Sequence, residues 1–381
     1  MKRFGFSLLT FLLSVGIATS QVVVEGNRYE IKSDLGETES RALAKEMDRR
    51  FELYNGLFRF DPKRLPGKLK VRAFAEKEAY DAYLKTSLGE TRENACYLHY
   101  SRFDRSELVV LKKDGGFFSH QAFIQFLRAF VPQPPLWIRE GFAVVFEPLV
   151  YDSGRDSFSF EENLAWLETV KRWGVEAPSL AGILLSDENE SINAEKLVPA
   201  AWAIASFLLN VDDEEYRRFL YEAFLLLKPE LASGDNARLI ADRGAVWIDL
   251  LRAQTDIESY LKSRRTFAEL IEDGRAAYAA KNPKAAEKAF LAAAELKSSH
   301  YAPQYYLGLL AYEKKEYEVA EKRYKNALEN GADEALCSFA LGVNAAAAGK
   351  ASEAREFLER AKTVAPSRYA VKVDELLVKL R

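Results

Sequence analysis

The last third of the chain repeats itself with a period of 34 residues, and this period limits what that segment can fold into. Gly274, Gly308 and Gly342 stand at this spacing. Three further positions recur in step with them: Ala286, Ala320 and Ala354; Phe290, Tyr324 and Leu358; Ala293, Ala327 and Ala361. Small and large residues at fixed positions in a period of this length are typical of antiparallel helix pairs that pack closely and stack on their neighbours.

The repeat pattern resembles that of the tetratricopeptide repeat. It predicts three copies over residues 267–368, the middle one (301–334) matching best, and an amphipathic capping helix at 369–380. Two positions depart from the usual pattern, since Asp273 stands in place of Leu and Ala332 in place of Pro, whereas Pro366 keeps the helix-ending place in the third copy. The resemblance implies a short superhelix whose concave surface binds peptides or protein segments.

The resemblance places this concave surface on the first helix of each copy, at fixed offsets from its Gly. The candidate partner-binding residues at these offsets are Ile271, Tyr305 and Phe339; Arg275, Leu309 and Val343; and Tyr278 and Tyr312. Such a surface is aromatic and apolar with a single cation, and it suits an extended segment with hydrophobic side chains. Tyr305 and Tyr312 are the expected anchors. Alternatively, the array only extends or stabilises the rest of the chain, or packs against a second copy.

A second pattern lies at residues 117–147. His120 opens the stretch His-Gln-Ala-Phe-Ile, and Glu140 follows within Trp-Ile-Arg-Glu-Gly-Phe-Ala. Two histidines one helical turn apart can hold zinc, and a Glu between them can act as general base for the zinc-bound water. Here the base position is Gln121, which cannot accept a proton, and the second ligand position is Ile124, which has no lone pair.

This layout resembles the gluzincin metallopeptidases, and within them the peptidase-MA-like exported proteins. The resemblance covers residues 22–252 and is strongest over 117–147. It implies that His120 holds the place of the first zinc ligand, Glu140 that of the third, and Glu147 that of a carboxylate which orients a ligand. Because Gln121 and Ile124 replace the two residues that the chemistry can least spare, we expect the fold without catalysis and without a cofactor, zinc included.

Other interpretations of these residues stay open. The chain has three histidines, so a rearranged metal site could use His99 together with His120 and Glu140. His120 could equally be a hydrogen-bonded core residue, because apolar residues follow it at helical spacing. Glu140 could simply pair with Arg139 or with a backbone amide near a helix start.

The N-terminus has the layout of a secretory signal peptide. Lys2 and Arg3 precede an uncharged stretch from residue 4 to residue 18, which is short for a membrane span, and Ala18-Thr-Ser20 predicts cleavage after Ser20. The alternative is an uncleaved membrane anchor. Cleavage would move the formal charge from −3 to −5, since residues 1–20 contain no acid. Mild acidity gives no reason to expect nucleic-acid binding.

The two cysteines, Cys96 and Cys337, stand far apart in sequence. An exported protein of this size does not need a disulfide to supply its core. We expect two buried thiols, with a bridge between domains as the alternative.

The pattern along the chain predicts an α+β fold in which a gluzincin-like mixed sheet and a helical subdomain precede an all-α tetratricopeptide superhelix. The predicted parts are a signal peptide (1–20), an α+β domain (21–150), a helical subdomain (151–265) and the repeats with their cap (266–381). Strands are expected at 28–33, 68–74, 97–100 and 107–112, and helices at 39–57, 76–88, 160–173, 197–210 and 214–227.

These expectations combine into one functional hypothesis. The chain is expected to be an exported, periplasmic or secreted, non-catalytic protein that binds a protein or peptide partner in the cell envelope, with no transmembrane segment after cleavage. The alternative is an active zinc metallopeptidase with an altered ligand set.

Overall fold

The computed structural model describes residues 21–111, 115–160, 162, 164–173, 177–187, 194–244 and 246–380. The predicted signal peptide, residues 1–20, lies outside this range, as does Lys112 at the end of a predicted strand. The described chain mixes strands with a larger number of helices, so the expected α+β class is confirmed.

The chain divides into two compact units. Unit 1 contains the chain up to Phe160 together with Pro178–Gln254. Unit 2 contains Glu161–Ala177 and the chain from Thr255 onward. The three-part division predicted from the sequence, with boundaries after residues 150 and 265, is finer than this and stays a prediction.

The strands of unit 1 form a five-stranded sheet and a separate two-stranded hairpin. Their bounds are β1 Val22–Glu25, β2 Tyr29–Ser33, β3 Leu69–Phe74, β4 Ala95–Leu98, β5 Glu107–Leu111, β6 Leu149–Asp152 and β7 Ser157–Phe160. The large sheet has the order β1-β2-β3-β5-β4, with the three inner strands parallel and both edge strands antiparallel to their neighbours. The prediction for β4 was wrong by two residues, and β1, β6 and β7 were not predicted.

The helices follow the predicted periodicity more closely. Those associated with the first part of the chain are α1 Glu37–Phe58, α2 Lys77–Leu88, α3 Gly115–Phe130, α4 Leu136–Phe146, α5 Ala165–Trp173, α6 Leu180–Leu184, α7 Ala194–Asn210, α8 Glu214–Leu226 and α9 Ser233–Gly244. The helix expected at 160–173 begins only at Ala165, because Phe160 pairs with Leu149 in the β6–β7 hairpin.

An aromatic cluster packs α1 against α3 and α4. Tyr54 of α1 contacts Phe123 of α3 and Phe146 of α4, with ring centroids 5.4 and 4.9 Å away. Phe58 contacts Phe123 at 5.5 Å and Phe142 at 5.5 Å. Full burial of rings such as these stabilises a fold by about 1.5–3 kcal/mol each. The cluster therefore fixes how the two motif helices lie beside one another.

A close backbone approach joins α4 to α7. A Cβ atom at Gly141 would lie 2.4 Å from the carbonyl oxygen of Ala201 and 2.8 Å from its carbonyl carbon. Only glycine allows two helix backbones to come this near. The Gly that follows Glu140 in the motif is therefore a packing residue for the helix that carries Glu140.

Unit 2 contains α5, three consecutive helical hairpins and a final helix. After α10 Leu250–Ser263, which crosses the boundary of the units, the hairpins and the final helix are α11 Phe267–Ala279 with α12 Pro283–Leu296, α13 Tyr301–Glu313 with α14 Tyr317–Glu329, α15 Glu334–Ala347 with α16 Ala351–Val364, and α17 Pro366–Lys379. Pro366 is the first residue of α17, where it suits the first turn of that helix and precludes continuation of α16.

The repeated glycines of the sequence meet the repeated large residues within each hairpin. A Cβ at Gly274 would lie 2.5 Å from the ring of Phe290, one at Gly308 2.6 Å from the ring of Tyr324, and one at Gly342 2.7 Å from Leu358 Cγ. The three large side chains are at most 1% exposed. The 34-residue period thus corresponds to one contact made three times.

Both cysteines are free thiols in the structure. Cys337 is fully buried, as expected, and burial raises the pKa of its thiol to about 11. Cys96 on β4 is only half-buried. Within the part of the chain that the structure describes, no helix has both the length and the apolar composition needed to cross a bilayer.

Candidate functional site

The helices α3 and α4 bring three of the sequence-predicted site residues together. His120 lies on α3, Glu140 lies on α4, and Glu147 is the residue that ends α4. The turn between the helices carries Pro134 and Pro135, and Pro135 precedes the first residue of α4. Because both helices pack on the same aromatic cluster, Glu140 and Glu147, which follow His120 by 20 and 27 residues, reach its ring.

His120 lies between the two carboxylates. Its Nδ1 is 2.7 Å from Glu147 Oε1, and its Nε2 is 3.8 Å from Glu140 Oε2. A carboxylate only accepts hydrogen bonds, so Nδ1–H donates to Glu147. The ring of Phe117 stacks on the imidazole at 6.0 Å. With 12% of its side chain exposed, His120 is a hydrogen-bonded and largely buried residue.

Glu140 is also engaged by its neighbour in sequence. Arg139 Nε donates to Glu140 Oε1 at 2.7 Å, and both side chains are more than four-fifths buried. The pairing expected as one interpretation of Glu140 is therefore present in the structure. The second carboxylate oxygen of Glu140, Oε2, is the one that approaches His120.

Gln121 makes a contact that the sequence did not suggest. Its side-chain Oε1 accepts a hydrogen bond from the backbone N–H of Tyr97, at 3.0 Å. Tyr97 lies on β4, an edge strand, whose outer backbone groups would otherwise need water or an added strand. The amide at the position of a general base thus joins α3 to the edge of the sheet.

Ile124 belongs to the core. It is 8% exposed and has fully buried neighbours on α3, Phe123 and Leu127. His99 lies in the loop after β4, with its Nδ1 3.5 Å from the hydroxyl of Tyr97. Among the described residues, no three or more His, Cys, Asp and Glu side chains are grouped so that they could hold a metal ion. The structure therefore does not assemble the alternative set of His99, His120 and Glu140.

The candidate partner-binding residues lie on the first helices of the three hairpins. All are half-buried except Arg275, which is exposed. Tyr278 donates its hydroxyl hydrogen bond to Glu313 Oε1 of the next hairpin, at 2.5 Å. Phe339 stacks on Tyr369 of α17 at 4.8 Å, and Val343 packs in the same cluster. These side chains thus contribute to packing between consecutive helices as well as to the surface.

Tyr305 is the most deeply packed of the two expected anchors. Its ring lies 5.8 Å from that of Tyr324 and contacts the cluster around Cys337. Burial raises the pKa of its hydroxyl to about 12. Tyr312 lies at the edge of the neighbouring cluster, with its ring 6.1 Å from that of Tyr317. Tyr312 is therefore the better probe of binding, because its loss disturbs less of the core.

Sequence reasoning missed a buried ion pair beside α3. Arg50 donates to Glu46 Oε1 at 3.0 and 2.9 Å, and the two side chains are 2% and 0% exposed. The guanidinium also lies 4.9 Å from the ring of Phe118, near the start of α3. The i, i+4 spacing is visible in the sequence, but such pairs usually lie on exposed helix faces.

Compared with models of known protein families and with curated proteins, the chain matches none.

Proposed function

We propose that the chain is an exported, catalytically silent, gluzincin-like protein that acts as a binding scaffold through a tetratricopeptide array. The observation that carries the proposal is the state of the two positions that zinc hydrolysis needs. Ile124 is buried in the core, and the amide of Gln121 is bonded to the backbone of β4. Ile124 has no lone pair to offer a metal, and the amide of Gln121 is not basic enough to take a proton from a water molecule.

The residues present do not fit a hydrolytic zinc. Such a centre uses three protein ligands and keeps a fourth position for water. Here His120 Nε2 and Glu140 Oε2 are the two available donors, while Glu147 is bonded to the other nitrogen of the same ring.

A second candidate function is an active metallopeptidase with an altered ligand set. The observation in its favour is that His120, Glu140 and Glu147 keep a relation suited to a ligand pair with an orienting carboxylate, since Glu147 holds Nδ1 and leaves Nε2 towards Glu140. The zinc content of the purified protein separates the two candidates.

The repeat array supports the binding role. Its Gly-to-large-residue contacts within each hairpin agree with the resemblance to tetratricopeptide repeats. The first helices present half-buried Tyr, Phe, Leu, Ile and Val side chains with one exposed cation, Arg275. We propose an extended protein segment with hydrophobic side chains as the occupant, since stacked rings offer large contact area at low entropic cost.

Tyr312→Ala is expected to weaken binding of such a segment about tenfold, because loss of one aromatic anchor costs more than 1 kcal/mol. Peptides selected by display against the whole protein supply the ligand, and fluorescence anisotropy gives the affinities. Tyr301→Ala is the matched control, since Tyr301 is an exposed residue of the same helix outside the proposed surface. For Tyr305, the Phe variant keeps the ring and tests only the hydroxyl. Unchanged affinity in a folded Tyr312→Ala protein would contradict the proposed surface.

Export is part of the same proposal, based on the sequence of residues 1–20. Mass spectrometry of the protein recovered from its native host is expected to show a mature N-terminus at or near Gln21. Recovery of the intact chain, starting at Met1, from the cytoplasmic fraction would reject export.

A further inference from the structure

The five-stranded sheet of unit 1 leaves part of one face open. On this face α2 packs over β5 and β4, through a cluster that contains Tyr80, Leu84, Leu98 and Val109. The corresponding face of β2 and β3 carries charged residues in alternate positions: Glu30, Lys32, Lys70 and Arg72. Alternation of this kind marks a sheet face that is not part of the core.

A cleft of about 520 Å³ opens on this face. Its lining residues are Glu30, Lys32, Lys70, Val71, Arg72, Tyr83, Tyr100, Asp104, Arg105 and Glu107. Four of these side chains are cationic and three, Glu30, Asp104 and Glu107, are acidic. The lining therefore carries a formal net charge of +1, whereas the whole chain carries −3.

Arg72 is held in a fixed orientation at the floor of this cleft. Its Nε donates to Glu107 Oε2 at 3.0 Å, and its guanidinium carbon lies 4.6 Å from the centre of the Tyr83 ring. The hydroxyl of Tyr83 donates to the other oxygen of Glu107. Arg72 is 19% and Glu107 11% exposed. Held by Glu107 and by the ring of Tyr83, the guanidinium loses little freedom when it binds a ligand.

The bond from Arg72 to Glu107 uses the Nε of the guanidinium. Its terminal amino groups, with the Tyr83 hydroxyl close by, are left as further donors. The terminal edge of an Arg presents two parallel N–H groups, the arrangement that matches a carboxylate or a phosphate.

A second cation lies beside Arg72 on the neighbouring strand, β2. Lys32 and Arg72 are register partners on β2 and β3, and like charges in this position repel. The neighbouring register places Lys70 between Glu30 and Glu107, and Lys70 Nζ donates to the carbonyl oxygen of Asp104 at 2.8 Å. Within the described chain, neither Lys32 nor Arg105 makes a side-chain hydrogen bond or ion pair. A bound anion would relieve the repulsion between Lys32 and Arg72.

We propose that this cleft is a binding site for an oxyanion, the carboxylate or phosphate group of a small organic ligand. Arg72 binds the oxyanion through its two terminal amino groups, Glu107 and Tyr83 orient Arg72, and Lys32 and Arg105 add charge at the rim. The volume exceeds that of a bare ion, and the partly exposed ring of Tyr100 offers a surface for the rest of the ligand.

The test is titration of the whole mature protein with inorganic phosphate, phosphoserine and N-acetylglutamate at constant ionic strength, followed by calorimetry. We expect saturable binding of at least one of these probes, with a dissociation constant raised about tenfold or more in Arg72→Lys, which keeps the charge but not the paired donors. Lys32→Gln, an exchange on the open sheet face, is expected to weaken binding several-fold. Preference for phosphoserine or for N-acetylglutamate identifies the oxyanion.

The matched control is Arg41→Gln, which removes a cation from the exposed surface of α1, where Arg41 pairs with Glu37. Its affinity for the probes should equal that of the parent protein. The proposal is overturned if no probe gives saturable binding, or if Arg41→Gln and Lys32→Gln weaken binding equally, because either result reduces the cleft to general charge attraction. Folding of each variant is checked by circular dichroism, and Lys32→Gln keeps the test valid should Arg72→Lys fail to fold.

Discussion

Gly141→Ala is expected to lower the free energy of unfolding of unit 1 by up to about 2 kcal/mol. The new methyl group would lie 2.4 Å from the carbonyl oxygen of Ala201, a distance that real Cβ atoms do not show. The obstacle is helix backbone, so α4 and α7 must move apart, and overpacking of this kind costs about 1–3 kcal/mol or more. This cost outweighs the gain of about 1 kcal/mol that Ala brings over Gly within a helix.

Gly56→Ala supplies the matched control. Gly56 also lies in a helix, α1, but a Cβ there would meet no atom within 4 Å. The same exchange is therefore expected to leave stability unchanged or to raise it by up to about 1 kcal/mol. Urea unfolding followed by circular dichroism measures both variants. Equal stability of the two variants would show that α4 and α7 do not approach as closely as described.

The repeat hairpins were predictable because their decisive contact is local. Gly308 and Tyr324 are 16 residues apart, and the same pair recurs one period earlier and later. Three aligned copies in one sequence therefore indicate the packing without any knowledge of the rest of the chain. The capping helix was predicted three residues too late, since Pro366 starts α17 as well as following the end of α16.

The sheet was less predictable because its edges depend on partners far away in sequence. β4 begins at Ala95, and its Tyr97 N–H is bonded to Gln121 on α3 rather than to another strand. β1 and β6 have only four residues each, too few for alternation to distinguish them from a loop. For the same reason the open charged face of β2 and β3 is visible only when register places Lys32 beside Arg72.

The candidate site was also only partly predictable from the sequence. The sequence pattern placed His120, Glu140 and Glu147 on two helices of one motif, and the structure brings these three side chains together. The sequence pattern did not predict which contacts Gln121 and Ile124 make in place of metal binding and catalysis. The bond from Tyr97 to Gln121 and the burial of Ile124 depend on the tertiary fold. A glutamine at position 121 removes a possible general base and also accepts a hydrogen bond from Tyr97 N–H. Only the hydrogen bond is visible in the structure.

The double change Gln121→Glu and Ile124→His is expected to create a zinc site. A carboxylate at position 121 can still accept the hydrogen bond from Tyr97 N, so the edge of β4 stays attached to α3. A His one turn after His120 adds the missing ligand beside Glu140. Equilibrium dialysis with metal analysis should give one zinc per chain. At zinc concentrations about 100 times the dissociation constant, the free energy of unfolding should rise by about 2.7 kcal/mol.

The parent protein and the single variant Gln121→Glu are the controls, and both are expected to hold well under one zinc per chain. Adding His120→Ala to the double variant should abolish the gain, since it removes one of the three ligands. If the parent chain itself holds one zinc that is lost on His120→Ala or Glu140→Ala, the silent-enzyme proposal fails and the altered ligand set is supported. If a folded double variant binds no zinc, α3 does not direct position 124 towards Glu140, and the gluzincin-like arrangement is contradicted. A double variant that does not fold shows instead the cost of placing a polar imidazole at a buried position, about 1–3 kcal/mol, and Ile124→His alone then tests that cost.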